Sequence, residues 1–290
     1  MRALVLLTTL LCLTACHATF FAGVNATQSG EGVVAHPGLV YDPVHHLALD
    51  VYTPPNADQA PVVIYFFGGD WQEGKRQWNR WMGEALAKNG IVAVIPDYRL
   101  WPAVGMAGFL TDAANVVRWV QEHASEFGGS PGDMFLMGHS SGGHIAAMLA
   151  TDAQWLDKVG MKPRELAGWI GIAGTYDFLP IDDDADYLGM FGTGADAQAA
   201  SQPVNFVDGD EPPALLLQGE KDTEVYPSEA LSMAARYEDA GEPAELRLYP
   251  GVGHEGLLLA FGPMKHRASV MADTLDFIHH HPGPATTTRP

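Results

Sequence analysis

The chain is poor in cysteine and in positive charge. Its 290 residues include 2 Cys, and 16 Lys and Arg stand against 35 Asp and Glu, for a formal net charge of −19 and a pI near 4.8. Two thiols cannot staple a disulfide scaffold, and without a CxxC pair there is no zinc-finger spacing. Without a basic face, the chain cannot displace the counterions of a nucleic acid, and it has no polybasic patch for anionic lipid. Long apolar runs are missing as well. The stretch Ala3–Ala15 is too short to cross a hydrocarbon core of ~30 Å. There is no H-E-x-x-H and no Gly-rich phosphate cradle, so no metal and no cofactor is expected. At 47% hydrophobic and 18% charged residues, the chain can bury a core and is not a disordered one.

The apolar stretch that is present reads as an export signal. Met1-Arg2 supplies one positive charge, and the run closes on Leu13-Thr14-Ala15-Cys16. That ending resembles a bacterial lipobox, which implies a leader over 1–15 and lipid attachment at Cys16. The other reading is a secretory leader cut near Ala18, which would put Cys16 at the position where A-x-A signals prefer a small residue. The first reading makes the protein a cell-envelope lipoprotein, periplasmic or outer-membrane-anchored, touching the membrane only through its anchor; the second makes it secreted. Residues 16–32 are rich in Gly, Ala, Thr and Ser without periodicity and read as a flexible tether. Residues 282–290 read as a tail.

Between them, short β-rich runs alternate with helical periodicity. Strands are predicted at Leu47–Tyr52, Val62–Phe67, Ile91–Ile95, Phe135–Met137, Gly168–Ile172, Leu215–Gln218 and Glu245–Tyr249. Helices are predicted at Trp78–Lys88, Asp112–Ala124, Ser141–Ala150, Ser228–Ala240 and Met264–His279. Such alternation predicts an α/β domain over 33–281, a mostly parallel central sheet with helices on both faces. Residues 175–213 break the rhythm with an acidic, Gly- and Pro-containing insertion, expected to be a cap.

The sharpest chemical signal is Gly138-His139-Ser140-Ser141-Gly142-Gly143, a G-x-S-x-G turn between a strand and a helix. This turn lifts a serine hydroxyl to the sheet's carboxyl edge, where ligands of open α/β sheets bind. A serine needs a base and an orienting acid. His254 follows the strand ending at Tyr249, and Asp222 follows the strand ending at Gln218, in the chain order this turn requires. Glu220 and Glu224 are the nearest rivals of Asp222. The pair Gly68-Gly69 after an earlier strand, with the N–H of Ser141, can supply an oxyanion hole. Trp71 and His139 are candidates for the wall of a substrate pocket. Asp182–Asp186 lacks the Gly and Glu of a calcium loop and reads as a solvated face; His279–His281 suits a helix C-terminus.

Phe67-Gly68-Gly69-Asp70-Trp71, then Pro96-Asp97-Tyr98-Arg99-Leu100, then the serine turn resemble the carboxylesterase branch of the α/β-hydrolase superfamily. With Gly74-Lys75, Trp78 and Gly142-Gly143-His144-Ile145, they are similar to isoprenylcysteine methylesterase-like, feruloyl-esterase-like and kynurenine-formamidase-like hydrolases. The likeness runs from about Leu47 to His280 and departs where those families mostly show His and this chain has Phe67. It implies an α/β-hydrolase fold, a small-molecule ester substrate, a Ser140–His254–Asp222 triad and no cofactor. Two other readings stand beside ester hydrolysis: an amidase or formamidase with the same triad, and a non-catalytic envelope binding module.

Overall fold

The computed structural model describes residues 18–181 and 184–283. The leader, Cys12, Cys16, Asp182, Asp183 and the end of the tail lie outside them.

Eight strands form one sheet: β1 (Val34–Asp42), β2 (Leu47–Thr53), β3 (Ala60–Phe66), β4 (Val92–Pro96), β5 (Gly129–His139), β6 (Gly168–Ile172), β7 (Ala214–Gly219) and β8 (Ala244–Tyr249). Their order is β1-β2-β4-β3-β5-β6-β7-β8. β1 pairs with β2, and β2 with β4, antiparallel; every other neighbour is parallel. The apolar runs read from the sequence are the central strands, and residues Val62–Phe66 of β3 are inaccessible to solvent. A strand buried on both faces must be apolar throughout, which is why these runs do not alternate. β1 escaped the sequence reading because, as an edge strand, it exposes most of its residues.

The helices are α1 (18–26), α2 (Arg80–Ala87), α3 (Met106–His123), α4 (Ser141–Thr151), α5 (Gln154–Asp157), α6 (Ala185–Phe191), α7 (Ala195–Ala199), α8 (Pro227–Ala240), α9 (His254–Leu259) and α10 (Val270–His280). Neighbouring residues of β6 show both faces covered. A Cβ on Gly168 would meet Phe277 of α10 at 3.0 Å, while Trp169 donates its indole N–H to the Tyr237 hydroxyl of α8 at 2.7 Å. Successive strand residues point to opposite faces, so α10 and α8 lie on opposite sides. The insertion at 175–213 contains α6, α7 and a 3-10 turn at Pro203–Phe206. Asp184 caps α6, its carboxylate accepting from Asp186 N and Tyr187 N.

One expectation is corrected. Residues 18–32 are not a free tether, because α1 packs on the domain: Phe21 stacks on Trp78 at 5.6 Å and Val24 is buried. The Asn25 side chain donates to Gln77 O and accepts from Trp81 N. Three anchoring side chains on a single short helix give a period that small, polar neighbours conceal in the sequence.

Candidate active site

β5 is the innermost source of the site. It ends at His139, and Ser140 turns the chain into α4 with φ 54° and ψ −124°, outside the regions ordinary residues prefer. The turn is held from both sides: Ser140 N donates to Ile172 O at 3.0 Å, and Ser140 O accepts from Gly143 N at 2.8 Å. Only glycine fits the crossing. A Cβ on Gly138 would stand 2.0 Å from Gly142 O, and one on Gly142 would stand 2.1 Å from Phe66 O. Tight packing therefore stabilises a backbone conformation that alone is unfavourable.

β7 and β8 bring the acid and the histidine to the same edge. Lys221 N donates to Val252 O at 2.9 Å, tying the two loops together. His254 Nδ1 lies 2.8 Å from Asp222 Oδ2. The other Asp222 oxygen accepts from Glu224 N and Val225 N, each at 3.0 Å. Burial alone raises the Asp222 pKa, but the bond and charge of His254 and the two backbone donors outweigh it and hold the carboxyl below its ordinary value. Burial likewise lowers the His254 pKa, yet Asp222 first, then Glu224 and Glu255, hold it above the ordinary value. Of Asp222 and its rivals, only Asp222 is hydrogen-bonded to His254; Glu220 and Glu224 are exposed. Gln218, missed in the sequence, gives its amide N–H to Asp222 Oδ2 at 3.3 Å and to Val225 O at 3.1 Å. Its signal was a lone polar residue closing the apolar run Leu215–Leu217.

The glycine loop abuts the serine. A Cβ on Gly68 would meet His139 O at 2.8 Å and Ser140 Cβ at 3.1 Å, and Gly69 has φ 129°. Ser141 opens α4, whose first N–H groups have no partner within the helix. Phe67, where a histidine would be usual in the families it resembles, is braced by Tyr98. The rings stack at 4.6 Å, and the Tyr98 hydroxyl donates to Phe67 O at 2.6 Å. Packing does the work expected of a polar side chain.

A cavity of about 550 Å³ opens at this edge, and Ser140, His254, Gly68, Gly69 and His139 all line it. The His139 ring lies 4.5 Å from that of His254, and burial, then the neighbouring His254, push its pKa well below the ordinary value, so it stays neutral. Trp71 does not line the cavity, contrary to expectation. Asp70 and Trp71 both have positive φ, 51° and 57°, which turns the indole away and under the cap. There it is buried against Phe191 at 5.0 Å and His144 at 5.1 Å. Phe20 and Phe21 of α1, with Trp78, form a wall instead.

Among the described residues, Asp42, His45 and Asp112 could gather round a metal ion. Their ligand atoms are already engaged: Asp112 takes Arg99 in a fork, and His45 Nδ1 sits 2.7 Å from Asp42. None of the three lines the cavity.

The chain resembles known proteins in sequence and fold. The BD-FAE family matches residues 49–237. An isoprenylcysteine alpha-carbonyl methylesterase of Arabidopsis thaliana is 27% identical over 83% of this chain and 61% of its own length. A carboxylesterase of Mycobacterium tuberculosis is 36% identical over 41% of this chain and 37% of its own. The chain thus spans less than two thirds of the length of these curated relatives. Among solved structures, Thermogutta terrifontis esterase 2 superposes with a TM-score of 0.69 at 24% identity, covering 86% of this chain and 93% of that one. A truncated carbohydrate esterase from gut microbiota does so with 0.71 at 19% identity, covering 88% and 97%. At these identities the likeness is one of fold.

Proposed function

Because the chain belongs to the BD-FAE family, within the carboxylesterase branch of the α/β-hydrolases, we propose that it hydrolyses carboxylic esters through an acyl-enzyme on Ser140. The observation that carries this reading is the 2.8 Å bond between His254 and Asp222, with His254 and the strained Ser140 on the wall of one cavity. Asp222 holds the imidazole so that Nε2 is free to accept the Ser140 proton. The serine oxygen attacks the ester carbonyl, and the oxygen of the tetrahedral intermediate takes N–H groups from the loop at Gly68 and Gly69 and from Ser141. His254 then returns its proton to the leaving alcohol. Water, deprotonated by the same histidine, releases the acid and regenerates Ser140.

Ser140→Ala should abolish turnover of a short aryl ester and labelling by a fluorophosphonate probe while leaving the unfolding temperature within a few degrees. Undiminished turnover would refute the assignment. Matched ester and amide substrates separate this reading from an amidase or formamidase, and an unlabelled wild type would favour the binding-module reading.

The same proposal extends to location: an exported lipoprotein acylated at Cys16. The support is the leader sequence. Phe20 and Phe21 line the cavity four and five positions later, so an anchor there would set the cavity close to the membrane. Cys16→Ser should move the protein from the membrane to the soluble fraction.

A further inference from the structure

The cavity wall has an uneven charge. Asp70, Glu73, Glu224 and Glu255 all line it, and among the described residues no lysine or arginine does. These carboxylates come from three separate segments: the glycine loop, the loop after β7, and the start of α9. Asp70, Glu224 and Glu255 are exposed at the mouth, where a bound molecule would meet them. Lys75 is the adjacent cation; its ammonium stands over the Trp78 ring, 5.8 Å from the centroid, one positive charge beside four negative ones. His139, neutral by burial, adds no charge.

The rest of the wall is largely apolar, with the rings of Phe20, Phe21 and Trp78 beside Leu258 and Leu259. Carboxylates and aromatic rings lining one cavity, with no lysine or arginine among them, are the combination that attracts a cation.

We infer that the cavity selects esters whose alcohol part carries a positive charge, such as a substituted ammonium, and rejects anionic esters. The inference rests on the ester-hydrolase reading above and gives it a substrate class. The alcohol side follows from the chemistry. His254 must protonate the departing alcohol, so the alcohol lies on the His254 side, and Glu255 is its chain neighbour while Glu224 belongs to the loop that holds Asp222. Asp70 lines the same cavity as that histidine. Repulsion by the same carboxylates would also speed departure of the acid product.

The test compares choline acetate with neohexyl acetate, its uncharged isostere, by pH-stat at low salt. The expected ratio of kcat/KM is at least tenfold in favour of the charged ester, about 1.4 kcal/mol. It should shrink toward one in 0.5 M salt, at roughly that ionic strength a screening length of only a few ångström. The double variant Glu224→Gln, Glu255→Gln should bring it within about threefold. Glu122→Gln, an equal kind of charge loss on α3, none of whose residues line the cavity, should leave the ratio alone. A wild-type ratio near or below one overturns the inference, as does a ratio unchanged in the double variant. A second pair, the methyl ester of trimethylammonio-butyric acid and its tert-butyl isostere, places the charge in the acyl part. A larger preference there overturns the alcohol-side assignment. Failure to hydrolyse any of these esters overturns the parent reading instead.

Discussion

Replacing Asp222 by Asn tests the proposed triad at its most constrained point. The carboxylate accepts from four donors: Glu224 N and Val225 N on one oxygen, His254 Nδ1 and the Gln218 amide on the other. Asparagine keeps the volume but has only one acceptor. Its oxygen will stay with the two backbone N–H groups, which cannot move without unfolding the loop. The NH2 group must then face His254 Nδ1 and the Gln218 amide. A donor opposite Nδ1 forces the proton of the imidazole onto Nε2, the atom that has to receive the Ser140 proton. With the wrong tautomer, kcat should fall by roughly 10⁴, as in serine enzymes that lose this orienting charge, equivalent to about 5 kcal/mol of barrier. The assay is kcat/KM for a short-chain aryl ester between pH 5 and 9, with thermal unfolding measured in parallel. A folded Asp222→Asn protein within tenfold of wild type would refute the orienting role of Asp222.

Other consequences follow from the same geometry. Because His254 titrates above its ordinary value of 6.5, the acid limb of kcat/KM should have its midpoint above that pH, and Glu255→Gln should move it down; a midpoint below 6.5 in the wild type would contradict the electrostatics. Glu229 is buried beneath the cap, where burial pushes its pKa from 4.5 to about 7 even though Tyr176 N donates to it. The unfolded chain releases this proton first, so stability should fall as pH rises from 4.5 to 7 and then level off. Glu229→Gln should remove that slope, worth on the order of 3 kcal/mol, in urea unfolding at pH 5 and 8. Gly142→Ala places a methyl 2.1 Å from Phe66 O, and loss of both fluorophosphonate labelling and the native unfolding transition is expected. Trp71→Ala empties the space under the cap and should destabilise the fold by about 3–5 kcal/mol, read from denaturant midpoints.

Much of the site was legible because its requirements are local. The turn at Ser140 needs small residues at Gly138 and Gly142, and those glycines are visible in the chain whatever surrounds them. The order Ser140, Asp222, His254, each just beyond a strand, follows from a parallel sheet whose carboxyl ends share one edge. Other features left no local trace. Trp71 lies three residues from Gly68 and was expected on the cavity wall, but two positive φ values send it to the core. The helix over 18–26 looked like tether because its anchors, Phe21, Val24 and Asn25, gain meaning only from Trp78, Gln77 and Trp81 far along the chain.

The sequence by itself determined the alternation of strand and helix, the nucleophile turn, and the order of the residues offered to it. Periodicity and turn chemistry are properties of neighbouring residues, so they survive without a structure. Only the tertiary structure decided which acid faces His254, what walls the cavity, and that four carboxylates from three segments line it together. Those facts depend on loops that meet across a twisted sheet, and no pattern within any one loop records where another will lie.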